Sequence, residues 1–175
     1  MPHSRIRYAA KLIEKALSHS PIVGVLGHRQ VGKTTISSSL SKEYVTFDIL
    51  SRLEEAISRP SEFLENRKNP FTIDEAQLCP PLFSAVKEWV RIHPKKGQFI
   101  FTGSVRFTSR KIIRESLTGR IVNVELLPMT ISEMNDAPIS SNLEEISKIH
   151  TASKLQVFAK GCLKKKQSIF DQYLK

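Results

Sequence analysis

Between Ile6 and Leu126 the apolar positions switch repeatedly between helical stripes and short strand-like runs. Ile6, Ala9, Ala10, Leu12, Ile13, Ala16 and Leu17 recur near helical spacing, which predicts an amphipathic helix over 6–18. His19, Ser20 and Pro21 end it, and Ile22, Val23, Val25 and Leu26 read as a buried strand. Residues 34–42, rich in Ser and Thr with Ile36 and Leu40 four apart, predict a helix, and the alternating, β-prone Tyr44 to Asp48 a second strand. Ile49 to Ser58 places Leu50, Leu53, Ala56 and Ile57 on one helical face; Pro60 stops it, and a short helix is expected over 61–66. Phe71 to Glu75 predicts a third strand, followed by a helix over 76–90 that breaks or restarts at Pro80-Pro81 and buries Leu82, Val86, Trp89 and Val90. Gln98 to Thr102 and Ile121 to Leu126 predict strands four and five, separated by a basic helix over 108–117 that Gly119 ends. Beyond Pro128 the pattern weakens to a helix start at 131–134, a loop over 135–142 and short helices over 143–149 and 154–162.

Strands alternating with helices indicate an α/β protein, and 175 residues suit one such domain with a sizeable core better than two. No apolar run approaches the ~18 residues of a membrane span, and the amino terminus lacks the apolar core of a secretory signal, so a cytoplasmic location is expected. Arg5, Arg7, Lys11 and Lys15 against Glu14 alone give a faint likeness to an organelle presequence. Cys79 and Cys162 offer neither a disulfide framework nor metal-ligand spacing, in keeping with a reducing compartment. The formal net charge of +10 favours polyanions, whether nucleic acid, an acidic membrane surface or a nucleotide, but the excess is spread along the chain. Lys164, Lys165 and Lys166 form the one true run, which a solvated tail explains more simply than a binding patch.

The chemistry concentrates at two places. Gly27, His28, Arg29, Gln30, Val31, Gly32, Lys33, Thr34 and Thr35 satisfy the G-x-x-x-x-G-K-[ST] phosphate-loop pattern, between a strand and a helix as that pattern requires. The glycines permit backbone dihedrals and close approaches that turn successive N–H groups inward, and the helix adds the positive end of its dipole, so the turn is an anion cradle. Lys33 is expected to reach the β and γ phosphates and Thr34 to ligate Mg²⁺, with His28 an allowed variable position. The second place is the Asp74-Glu75 pair ending the third strand, at the sheet edge where open α/β folds bind ligands. Asp74 is expected to hold Mg²⁺ through water, and Glu75 to act as general base on an attacking water. Thr102 and Ser104, at the end of the fourth strand, are either γ-phosphate sensors or caps of the next helix. Arg120, between Gly119 and the fifth strand, is either an arginine finger toward a neighbouring subunit or a surface residue. No guanine-reading Asn/Thr-Lys-x-Asp motif occurs, which leans toward adenine.

With these motifs placed, the chain resembles the prokaryotic AAA-type ATP-binding proteins that carry G-x-R-Q-x-G-K-T-T and D-E-x-Q signatures. Here they read GHRQVGKTT from Gly27 and IDEAQLCPP from Ile73. Phe63-Leu64-Glu65-Asn66, Phe101-Thr102-Gly103-Ser104, Glu115 to Arg120, and Leu126-Leu127-Pro128 with Glu133 also match in order, over roughly residues 5 to 136. The resemblance implies a P-loop NTPase three-layer sandwich with a mainly parallel five-stranded sheet of order 5-1-4-3-2, of the additional-strand, catalytic-Glu type. It implies ATP with Mg²⁺, hydrolysis assisted by Glu75, an ATPase core over 1–136, and a short basic segment over 137–175 where the family carries a large C-terminal effector region. Two other readings compete: a nucleotide- or nucleic-acid-binding module with little turnover, and a small-molecule kinase, which the Asp74-Glu75 pair and the family matches disfavour.

Overall fold

The computed structural model describes Arg5, residues 7–104, 115–135 and 156–157. Two compact units are present. The larger, Ile6–Met129, holds the sheet. The other comprises Met1–Arg5 with Thr130–Lys175; its described part includes a short helix, Ile131–Met134. That helix starts with a capping box in which the Thr130 hydroxyl accepts from the Glu133 N–H (3.2 Å) and the Glu133 carboxylate from the Thr130 N–H (2.8 Å).

The strands are β1 (Ile22–Leu26), β2 (Glu43–Thr46), β3 (Phe71–Asp74), β4 (Phe99–Gly103) and β5 (Ile121–Glu125), in spatial order β2-β3-β4-β1-β5. This is the order that the resemblance implies. All four strand pairings are parallel, so the sheet is wholly rather than mainly parallel. The helices are α1 (Ala9–Leu17), α2 (Lys33–Leu40), α3 (Leu50–Ser58), α4 (Pro60–Leu64) and α5 (Pro80–Ile92).

Side chains alternate across a strand, so the central strands fill a core on each face. Ile22 and Leu26 of β1, Phe71 and Ile73 of β3, and Phe99 and Phe101 of β4 pack with Ala56, Phe63, Leu64, Leu82, Phe83 and Val86 from α3, α4 and α5. Val23, Val25 and Ile100 point the other way and meet Ile13 of α1 and Ile36 of α2. Aromatic rings run through the first core: Phe101 meets Phe83 edge-on at 5.8 Å and stacks on Phe99 at 6.0 Å. Trp89 is half-buried against this core, as expected, with its indole N–H on Gln98 Oε1 at 3.1 Å.

Element boundaries shift where local chemistry overrides periodicity. The helix expected over 76–90 is a single 3₁₀ turn, Ala76–Leu78, and then α5, because Pro80 and Pro81 suit only the first positions of a helix. The short helix expected over 61–66 begins at Pro60 for the same reason. α2 begins at Lys33, one residue early, since Gly32 (φ 93°) supplies the left-handed turn before it. β3 ends at Asp74, so Glu75 lies beyond the strand that was expected to include it. Of the basic helix over 108–117, residues 115–117 are helical and Arg110, Lys111 and Arg114 lie outside the described residues. The loop and helices expected over 135–162 lie outside them too, apart from Asn135 and a helical pair at 156–157, as do Cys162 and the Lys164 to Lys166 run.

Arg67 ties the start of β2 to the first core. Its guanidinium lies 4.7 Å from the Phe63 ring centroid and 5.1 Å from that of Phe71, and it bonds Glu43 Oε1 at 2.8 Å and the Phe63 carbonyl at 2.7 Å. Partial burial pushes the Glu43 carboxyl up, but the Lys68 N–H and Arg67 together outweigh it and hold it below its ordinary value. A depressed carboxylate contributes stability that is present above its unfolded pKa and is lost as pH falls through the folded value.

Phe101→Ala should cost about 3–5 kcal/mol in chemical denaturation, the usual loss for a large core aromatic. Leu50→Ala, at a side chain 65% exposed, should stay within about 0.5 kcal/mol of wild type.

Candidate functional site

Every strand of a parallel sheet ends on the same edge, and at that edge β1 leads into the glycine-rich turn, β3 into Asp74-Glu75 and β4 into Gly103-Ser104. The turn from Gly27 to Gly32 is built from left-handed steps: Gln30 has φ 65° and Gly32 φ 93°. Such steps point neighbouring N–H groups to one side, the geometry of an anion-binding nest. Gly27 serves a different need. A Cβ there would lie 2.5 Å from the Leu126 carbonyl oxygen, so only glycine lets the turn leave β1 beside the end of β5.

Lys33 opens α2 with its side chain buried, and its ammonium donates to the carbonyls of Gly27 (3.1 Å) and His28 (2.8 Å). The charge is thereby held inside the turn. His28, Arg29 and Gln30 are exposed, Val31 is buried in the second core, and Thr34 and Thr35 lie exposed on the first turn of α2.

Asp74 is the meeting point. Its Oδ2 accepts from the Thr34 hydroxyl at 3.0 Å and from the Tyr44 hydroxyl at 2.7 Å, while Oδ1 accepts from the Thr102 hydroxyl. Thr34 and Asp74, forty residues apart and expected to share a Mg²⁺, are thus in direct contact. Thr102 is fully buried with its hydroxyl committed to Asp74, whereas Ser104 is exposed just past β4. Tyr44 was not anticipated. The alternation that predicted β2 also puts Tyr44, Thr46, Thr72 and Asp74 on one face, and that was the available signal. Burial first, then the hydrogen bond and charge of Asp74, push the Tyr44 hydroxyl well above its ordinary range, so it remains a donor.

Glu75 adopts a left-handed backbone (φ 53°, ψ 39°), costly for a residue with a Cβ by about 1–3 kcal/mol. Its N–H reaches the Thr102 hydroxyl at 3.3 Å, and its carboxylate accepts from the Gln77 side-chain amide. The D-E-x-Q signature thus links its second and fourth residues through one contact. Arg120 is not brought to this edge. It precedes β5, whose first residue pairs with the first residue of β1, and so lies at the opposite edge, about 15 Å away by strand rise. Its guanidinium bonds the Thr118 carbonyl at 3.3 Å, and its own carbonyl accepts from Ser20.

Arg7 is a second residue that the sequence reading passed over. Its guanidinium donates to the Val31 carbonyl in the turn and to the Leu127 carbonyl after β5, each at 2.7 Å. It was read only as part of a basic amino-terminal cluster, because nothing local distinguishes an arginine that caps distant carbonyls from one in solvent.

The chain matches a family model described as AAA domain over residues 19–135. Two mycobacterial relatives, an uncharacterized protein of Mycobacterium bovis and one of Mycobacterium tuberculosis, are each 32% identical to it over 134 residues. The alignment covers 75% of this chain and 30% of theirs, so the chain spans under a third of the length of the curated relatives it matches.

Replacing Arg7 by Gln should raise amide hydrogen exchange across residues 28–33 while β4 keeps its protection; unchanged exchange in the turn would show that Arg7 does not brace it.

Proposed function

Because the chain belongs to the AAA domain family, we propose that it binds ATP with Mg²⁺ at the carboxyl edge of the sheet and hydrolyses it to ADP and phosphate. The observation that carries this reading is the 3.0 Å contact of Thr34 with Asp74, which joins the glycine-rich turn to the acidic strand end. A hydroxyl and a carboxylate so placed make an oxygen-only donor set, which fits Mg²⁺ and its preference for one or two carboxylates plus phosphate oxygens. Thr34 and Asp74 would hold the ion, which when bound neutralises charge on the phosphates.

The chain's own residues divide the remaining work. The N–H groups of the turn, with the amino end of α2, bind phosphate oxygens, and Lys33 exchanges the Gly27 and His28 carbonyls for the β and γ phosphates. Glu75 takes the proton of the attacking water, and the Gln77 amide orients its carboxylate. Thr102, by holding both Asp74 and the Glu75 N–H, couples the position of the metal-facing carboxylate to that of the base. Electrostatic positioning of this kind supplies most of the acceleration in phosphoryl transfer.

The test is ATP binding and phosphate release, measured together. Glu75→Gln should keep ATP affinity and slow phosphate release by about 10²–10⁴, the usual contribution of a general base. Lys33→Ala should weaken ATP binding about tenfold or more, the worth of a charge-assisted hydrogen bond. A wild-type protein that binds ATP yet releases no phosphate would instead make it a nucleotide-binding module without turnover.

A further inference from the structure

Resting on that reading, we propose that Tyr44 is a positioning residue, whose hydroxyl fixes the plane of the Asp74 carboxylate presented to Mg²⁺. A carboxylate turns easily about its terminal torsion, where the energy wells are broad. Fixing its plane therefore takes partners on both oxygens. Thr102 holds Oδ1 from within β4, and Oδ2 has two described partners, Thr34 and Tyr44. Thr34 is itself a metal-site residue on the helix that follows the phosphate turn, so its bond belongs to the group being positioned. Tyr44 belongs to the sheet.

The register explains why a tyrosine can do this. In the parallel β2–β3 pair Tyr44 lies opposite Thr72, and Thr46 opposite Asp74, so Tyr44 and Asp74 are diagonal neighbours on one face. A long aromatic side chain spans such a diagonal, and its ring delivers the hydroxyl to Oδ2 at 2.7 Å. Tyr44 is 37% exposed and belongs to neither hydrophobic core, so packing alone gives no reason for the hydroxyl. Two neighbouring strands thus grip the carboxylate, one on each oxygen, and Tyr44→Phe removes one grip without removing the ring.

The experiment is ATP affinity by calorimetry, with Mg²⁺ and again with EDTA, for wild type and Tyr44→Phe, beside thermal unfolding without ligand. Loss of an outer-shell partner typically costs 10–100-fold in metal affinity. The variant should therefore bind ATP about tenfold more weakly with Mg²⁺, match wild type in EDTA, and unfold at the wild-type temperature. Equal weakening in both conditions would reduce Tyr44 to a structural role and overturn the assignment, as would unchanged affinity with Mg²⁺. If wild type itself binds ATP in neither condition, the nucleotide reading falls, and the assignment with it; ATP binding by wild type confines any failure to Tyr44.

Discussion

Parallel pairing is the constraint on which the site depends. Parallel neighbours must be joined by crossovers, and in the β2–β3–β4–β1–β5 sheet this brings the ends of β1, β3 and β4 to one edge. Chemistry far apart in sequence then becomes adjacent without special loops. Thr34, Asp74 and Thr102 are separated by crossovers through α2 to α5, yet their side chains meet within a hydrogen-bonded cluster. The two apolar cores, one per face, hold the strands in register, so the cluster inherits its precision from the packing of Phe71, Ile73, Phe99 and Ile100.

The two buried charges at the edge are compensated. Lys33 is turned back on two carbonyls, and Asp74 is fully engaged by hydroxyls. The cost appears instead in the backbone, where Gln30 and Glu75 occupy the left-handed region without being glycine. Such strain persists only where surrounding contacts over-determine it. For Glu75 these are the Thr102 hydroxyl on its N–H and the Gln77 amide on its carboxylate.

Much of this was legible in the sequence, because the signals are local. The continuous apolar run of β1, the helical stripe of α1 and the prolines opening α5 each act over a few residues. Lys33, Thr34, Asp74 and Glu75 stood out because their spacing is dictated by chemistry rather than by packing. The strand order came from the family resemblance, since periodicity says which residues face the core but not which strands are neighbours. Tyr44 and Arg7 escaped notice because their roles exist only in three dimensions: one spans a diagonal between strands, and the other reaches carbonyls 24 and 120 residues away. Arg120, read as either a finger toward a neighbouring subunit or a surface residue, is set by the register of β5 at the far edge from its own chain's site.

The bond from Arg7 to Leu127 has a bearing on the order in which the protein can be made. The glycine-rich turn is encoded early and the Arg7 bond to Val31 joins two early residues, yet the bond from Arg7 to the Leu127 carbonyl and the close approach of Gly27 to Leu126 both require the segment that follows the last strand. Closing so long a loop is entropically expensive and slow compared with forming local helices. During synthesis, α1, β1 and α2 leave the ribosome well before residue 127 is added. The close packing of the turn against Leu126 can therefore form only after the last strand of the sheet has been synthesised.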